Sequence, residues 1–467
     1  MNDATYAGRL FRIMRRAASL LLTALLVGSD AATQTARTAP ADLSADLEML
    51  QAVASGVLNS ARIAPGARIP GGATNTTGQC LRVPGGTQNF YPAFWIRDAA
   101  MMLGGDFIPA DELEGWIRVI AATQPGPDGL HFGRLFVPAF SIPDHVTLAG
   151  EACWYPGAYT EQGTGQFGFL PPADDAFFFV QMVREHCRLA GGPGLFQKKM
   201  KTSWGEPPVS DICVKAFDSV AVNADGLVRC EALEDRSRVD WGFCDTIRKQ
   251  GLALMPSLLR WRAATDLAEL FQFGGDVVQA ELFRQRAAQV RAAIPATFGQ
   301  AASKTEGASD EALLLSATAV GRKDDVWGAA YAVWLGLLPP ELERNVARHL
   351  LTLYRAGGTI LEGQVRHVPP SGKFGGYWES ARCEPDTYQN GGYWATPTGW
   401  LIVALRQVDP DAANQLLSEY VAHLRANRER GAPWEWIQPA KNLRVNALYG
   451  PSAGLVLNAM ARSGTSK

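Results

Sequence analysis

The chain predicts an all-α fold, an (α/α)6 toroid of six helical hairpins with short β-hairpins in the loops. Three observations predict it. Apolar residues recur at helical spacing through nearly every long segment, and Gly, Pro and aromatics fill the stretches between. The loops ahead of the apolar helices resemble one another, each setting a Trp, Tyr or Phe beside an Asp or Glu. Their spacing is also similar. With Asp98, Asp174, Asp245, Asp325, Tyr393 and Tyr449 as markers, the gaps are 76, 71, 80, 68 and 56 residues. Six units, each with an outward and an inward helix, would close a ring whose aromatic-acidic loops open on one face.

The first helix is expected over 41–60, where Leu43, Leu47, Leu50, Val53 and Val57 share a face. Further helices are expected over 110–123, 174–189, 246–271, 275–294, 326–337, 340–355, 398–408, 411–425 and 449–460. Strand-like runs are short, the best being 131–140 and 360–366.

The 467 residues, 47% hydrophobic and 19% charged, supply a large core. A net charge of −2 leaves no basic footprint for nucleic acid. Arg9, Arg12, Arg15 and Arg16 precede an apolar run from Ala17 to Val27 and the small residues Ser29 and Ala31. That pattern reads as a signal peptide over 1–31, with a linker over 32–40 and a single catalytic domain over 41–467. The apolar run is too short to span a membrane. The expected location is therefore secreted or periplasmic, with no membrane attachment after cleavage.

Seven cysteines show no CxxC and no His partners at metal spacing, so no metal and no cofactor are expected, with a structural calcium left open. In an exported chain disulfides are possible, Cys213–Cys230 being the favoured pair. Oligomeric state is not readable.

The segment from Asp386 to Trp400, DTYQNGGYWATPTGW, crowds aromatics, amides and glycines together. Flat rings stack on the C–H faces of sugars, Gln and Asn both donate and accept, and glycines admit a close ligand. The segment therefore reads as a wall for a carbohydrate, with Gln389, Asn390, Tyr393 and Trp394 as its contacts. Glycosidic bond hydrolysis needs two carboxyl groups, one protonated, and aromatic surroundings raise a carboxyl pKa. Asp98, Asp240, Asp245, Glu379, Asp386 and Glu435 are the acids in such loops.

Several of these segments carry a resemblance. The run DWGFCDTIRKQGLALMPSLLRWRAATDLAEL from Asp240 resembles the segment holding the general acid in neutral/alkaline invertases. The opening of the Asp386–Trp400 segment resembles their Tyr-His-Asn-Gly-Gly-x-Trp-Pro element, and more loosely a loop of trehalases. Trp434-Glu435-Trp436 followed by Tyr449-Gly450-Pro451-Ser452-Ala453-Gly454 resembles their Trp-Pro-Glu-Tyr segment and closing helix. Trp95-Ile96-Arg97-Asp98 is similar to the Val-Arg-Asp entry of six-hairpin glycosidases. The resemblance, to the six-hairpin (α/α)6-barrel superfamily, covers about residues 90 to 460.

It implies an exo-acting, inverting glycoside hydrolase with Asp245 as general acid and Glu435 as base, their carboxyls roughly 6.5–9.5 Å apart. Asp240 and Glu379 stand in reserve. Gln389 replaces the invertase His, so sucrose specificity is not implied. Trp95, Arg97, Asp98, Asp240, Trp241, Gln389, Asn390, Tyr393, Trp394 and Trp434 are the expected substrate contacts. Competing roles exist: a helix N-cap for Asp245, an Arg444 partner for Glu435, an internal ion pair for Arg97. Arg366 would suit an acidic sugar. The rival functions are a polysaccharide lyase, a sugar epimerase, and a noncatalytic glycan binder. An epimerase would want paired histidines, which the strongest motifs lack.

Overall fold

Two kinds of helix build the structure, and burial separates them. The helix Leu254–Phe273 buries residues all round its circumference, including Arg262, which pairs with Asp266 one turn on at 2.9 Å. The helix Pro340–Ala356 buries only Val346, Ala347 and Leu350 and turns a charged face outward. The first kind lines the centre of a ring and the second covers its outside. The computed structural model describes residues 43–70, 72–85, 91–133, 135–154, 171–230, 243–299, 313–379 and 381–463. The leader and linker expected over 1–40 lie outside the described residues.

In chain order the helices are α1 (Leu43–Ser60), α2 (Ile96–Met101), α3 (Ala110–Thr123), α4 (Asp175–Leu189), α5 (Gly194–Gln197), α6 (Val209–Asp218) and α7 (Leu254–Phe273). They continue with α8 (Val277–Phe298), α9 (Val326–Trp334), α10 (Pro340–Ala356), α11 (Thr398–Arg406), α12 (Pro410–Asn427) and α13 (Pro451–Ser463). Helices α2, α4, α7, α9, α11 and α13 touch in that order, and α13 returns to α2 to close the ring. Outer helices α6, α8, α10 and α12 each pack on their inner partner, and α1 covers α13. The first helix of the chain thus completes the last hairpin. This is the expected (α/α)6 toroid.

All six marker residues lie at or before the mouth of an inner helix, Asp98 inside the first turn of α2 and Asp174 and Asp325 at the N-caps of α4 and α9. Short chemistry sets several starts. Asp325 accepts from the Gly328 N–H, and Asp409 accepts from the Ala412 N–H just ahead of Pro410. Two small sheets carry the loops that matter most. One joins Ala93–Trp95, His145–Thr147 and Ala152–Cys153; the other runs Ile360–Leu361, Gln364–Arg366, Tyr393–Trp394, Trp434–Gln438 and Leu443–Ala447, all antiparallel.

Four expectations need correction. The helix expected from residue 246 begins at Leu254, because Gly251 takes a positive φ of 85° and Gly251–Leu252 pairs with Arg229–Cys230. Asp245 therefore caps no helix. The hairpin of Trp434–Gln438 and Leu443–Ala447 was not expected, since its strands bury residues without clean alternation. Helix α6 was likewise unread in a short segment ending at a Ser. Finally, the favoured Cys213–Cys230 disulfide does not form.

The inner ring closes through backbone contact. A Cβ on Gly454 of α13 would stand 2.7 Å from the Met102 carbonyl oxygen at the end of α2. Gly454→Ala should therefore lose about 1–3 kcal/mol of stability by overpacking, despite the higher helix propensity of Ala. Thermal unfolding checks this, and an unchanged or raised Tm would show that the two helices can move apart.

Candidate active site

The loops ahead of the inner helices meet over one mouth of the ring. There Trp95, Asp98, Asp245, Tyr388, Glu435 and Tyr449, with their neighbours, line a cavity of about 520 Å3, its open mouth included. Each acid reaches it through a different unit of the fold.

Arg97 lines the cavity, but its guanidinium is engaged within the protein. Its Nε and Nη2 donate to the two carboxylate oxygens of Asp174 at 2.6 and 3.0 Å, and both side chains are buried. The Phe243 N–H donates to the same Asp174 at 3.0 Å. One carboxylate therefore ties α2, the cap of α4 and the segment before α7, which carry Asp98 and Asp245. Burial works against the Arg97 charge, but Asp174, Asp175 and Asp144 around it hold it protonated. Of the two roles open to Arg97 in the sequence, the internal ion pair is the one observed.

Asp245 sits on an irregular loop with its Oδ2 accepting from the Tyr388 hydroxyl at 3.1 Å. Its Oδ1 is buried with no hydrogen-bond partner. Burial pushes its carboxyl up to about 6, against the Arg97 charge that lowers it. Glu435 lies on the strand Trp434–Gln438 and is 2% exposed. Its Oε2 accepts from the Tyr91 hydroxyl at 2.7 Å and from the Asn446 side-chain amide on the facing strand. Burial lifts it to about 8 although both donors pull it down, and Asp98 and Asp245 add their repulsion. Asp98 accepts from the Tyr449 hydroxyl and is raised by burial to about 6.

Burial also raises the phenols of Tyr91, Tyr388 and Tyr449 well above the usual range, so all three remain donors. Three carboxyls, each with one oxygen held by a tyrosine, thus share one desolvated space. They cannot all ionise at neutral pH without mutual penalty. Among the described residues no group of His, Cys, Asp and Glu is arranged to hold a metal ion.

Other expected contacts distribute unevenly. Trp95, Gln389 and Trp394 line the cavity. Gln389 also accepts from the Thr246 N–H and hydroxyl at 3.1 and 2.9 Å, which fixes the segment after Asp245. Asn390 is turned away: its Oδ1 accepts from the Trp378 N–H and its Nδ2 donates to the Cys383 carbonyl. Tyr393 donates to the Gly358 carbonyl at 2.9 Å, and Trp434 is packed in the core. These three hold the wall rather than form its surface.

Glu379, the reserve base, is an exposed partner of Lys323 at 2.6 Å. Asp386 lies 3.6 Å from Arg366 and accepts from the Tyr377 hydroxyl at 2.8 Å, and neither Asp386 nor Arg366 lines the cavity. Glu435 is held by Tyr91 and Asn446, not by Arg444. Asp240 and Trp241 lie outside the described residues. Tyr91, Asn446 and Asp144 were missed. For Asn446 a signal existed, since hairpin register sets it across from Glu435; Tyr91 and Asp144 carry none without tertiary contacts.

Asp174→Asn should cost about 3–5 kcal/mol, because it strands the buried Arg97 charge. Denaturant unfolding checks this, and a loss below about 1 kcal/mol would mean Arg97 finds another partner. Glu435→Gln should do the opposite at high pH. A carboxyl raised from 4.5 to about 8 in the folded state costs stability that grows as pH rises through that window. Tm of this variant should exceed wild type at pH 9 and converge with it near pH 4.5; a pH-independent difference would contradict the burial of the charge.

No family model and no curated protein matches the chain. Among solved structures it is similar to a GH78 family rhamnosidase of Bacillus sp. GL1, at 12% identity and a TM-score of 0.51, covering 90% of this chain and 35% of that one. It is similar to a GH63 mannosylglycerate hydrolase from Thermus thermophilus in complex with Tris, at 14% identity and 0.52, covering 88% and 100%. A glucoamylase from Saccharomycopsis fibuligera matches at 12% identity and 0.51, covering 90% and 95%. The chain spans only about a third of that rhamnosidase but nearly all of the other two. The likeness establishes the fold: these three structures share the helical toroid.

Proposed function

We propose that this protein is an exported, exo-acting, inverting glycoside hydrolase with Asp245 as general acid and Glu435 as general base. The observation that carries the reading is the pair of carboxyls, each anchored by a tyrosine on one oxygen, in one desolvated aromatic cavity. On this reading Asp245 delivers a proton to the leaving oxygen, with Tyr388 keeping its orientation. Glu435, steered by Tyr91 and Asn446, removes a proton from the water that attacks the anomeric carbon. Trp95 stacks on the terminal sugar, and Asp98 accepts from one of its hydroxyls. A ring that offers one mouth favours terminal sugars. The charged and apolar leader supports export. The fold shared with a rhamnosidase, a mannosylglycerate hydrolase and a glucoamylase agrees with hydrolysis.

One observation favours a second reading with the two roles exchanged. Glu435 holds its proton to about 8 and Asp245 only to about 6. Both readings need a single proton on the pair, so both predict a bell-shaped rate profile with limbs near pH 6 and 8.

Aryl glycosides, disaccharides and glycosyl fluorides, with the product anomer followed by NMR, test the proposal. Asp245→Asn and Glu435→Gln should each lose about 10^2–10^4-fold on glycosides. A fluoride leaving group needs no acid, so only the acid variant should keep its turnover there. Survival of the Glu435 variant on fluoride would exchange the roles, retention of configuration would remove the inverting mechanism, and no release from any glycoside would overturn hydrolysis.

A further inference from the structure

A fourth buried carboxylate borders the cavity, and the acid/base pair does not use it. Asp144 is 1% exposed and lines the cavity beside Trp95. Its Oδ2 lies 2.8 Å from His145 Nδ1, while its Oδ1 is buried with no hydrogen-bond partner. The nearest cation to Oδ1, Arg97 Nη2 at 3.9 Å, is engaged by Asp174.

The carboxylate is fixed in place from three sides. The Asp144 carbonyl accepts from the Ile96 N–H at 3.1 Å. His145 pairs in register with Trp95, and the two rings stack at 4.4 Å and 21°. Cys153 faces His145 on the next strand. Burial opposes a charge on His145, but Cys153 and Asp144 outweigh it and raise the imidazole to about 10, so it stays a donor.

A carboxylate at such a depth can satisfy both oxygens from within the protein. Asp174 does, with Arg97 on one and Arg97 and Phe243 on the other. Asp144 lines the cavity yet leaves one oxygen without a donor, and a buried acceptor without a donor is costly. The missing donor is therefore sought in the ligand. We propose that Asp144 is a substrate-binding residue whose Oδ1 accepts a hydrogen bond from a hydroxyl of an uncharged terminal sugar lying against Trp95. Asp98, held by Tyr449, offers a second acceptor in the same cavity. Two carboxylates suit two hydroxyls of a neutral ring and repel a sugar that carries its own carboxylate. The identity of the ligand as a sugar rests on the hydrolase reading.

The test uses the full-length protein, with binding of D-glucose, D-mannose, D-galactose and L-rhamnose and their monodeoxy analogues followed by calorimetry. Wild type should bind at least one of these sugars. Asp144→Ala should weaken that sugar about 10–100-fold and leave unchanged the analogue lacking the bonded hydroxyl. Asp144→Asn, which keeps the shape, serves if the Ala variant does not fold. D-glucuronate should bind wild type worse than D-glucose, and the Asn variant should narrow the gap. Wild-type affinity in the variant, or an equal loss across every deoxy analogue, would overturn the assignment of Asp144. Failure of the wild type to bind any of the sugars would overturn the hydrolase reading, and this inference with it.

Discussion

Asp174 is the point on which the cavity depends. It is fully buried at the N-cap of α4, and its two oxygens take the guanidinium of Arg97 and the backbone N–H of Phe243. Three successive hairpins are thereby held at one depth. Asp98 is the next residue after Arg97, and Asp245 lies two after Phe243, so the same bonds that secure the ring also place two of its acids. A bidentate Arg–carboxylate pair is suited to this work because its planar fork fixes orientation as well as distance.

The electrostatics follow from that placement. The Arg97 charge is spent on Asp174, so it lowers Asp98 and Asp245 only through space while burial raises them. Glu435 is farther round the ring and meets neutral donors alone, Tyr91 and Asn446. Its carboxyl rises more, to about 8. The cavity thus keeps a proton at neutral pH. Phenols supply the orientation. Tyr91, Tyr388 and Tyr449 each grip one oxygen of one acid and leave the second to a ligand or water.

Much of this was legible in the chain. The six aromatic-acidic loops lie at the mouths of the inner helices, and the spacing of Asp98, Asp174, Asp245, Asp325, Tyr393 and Tyr449 reflects the length of one hairpin. Asp245, Glu435, Asp98 and Trp95 meet in the cavity, whereas Glu379 and Asp386, acids in similar loops, lie outside it. The Asp386–Trp400 segment misled in part. Its amides and aromatics look like a ligand wall, yet Asn390 and Tyr393 satisfy backbone groups of neighbouring loops, and only Gln389 and Trp394 of those expected contacts border the cavity. Composition does not say which way a side chain turns. Tyr91 and Asp144 were invisible because their roles arise from contacts with residues distant in the chain, and Asn446 was legible only through the hairpin register that sets it across from Glu435.

The central claim is that the paired acids share a single proton in a desolvated cavity. Titration of the protein labelled with 13C at its side-chain carboxyls reads this directly, with Asp245→Asn and Glu435→Gln assigning the signals. The account predicts two resonances with midpoints near 6 and 8, with Asp245→Asn shifting Glu435 downward and Glu435→Gln leaving Asp245 near 6. Midpoints near 4 for both, independent of one another, would contradict it.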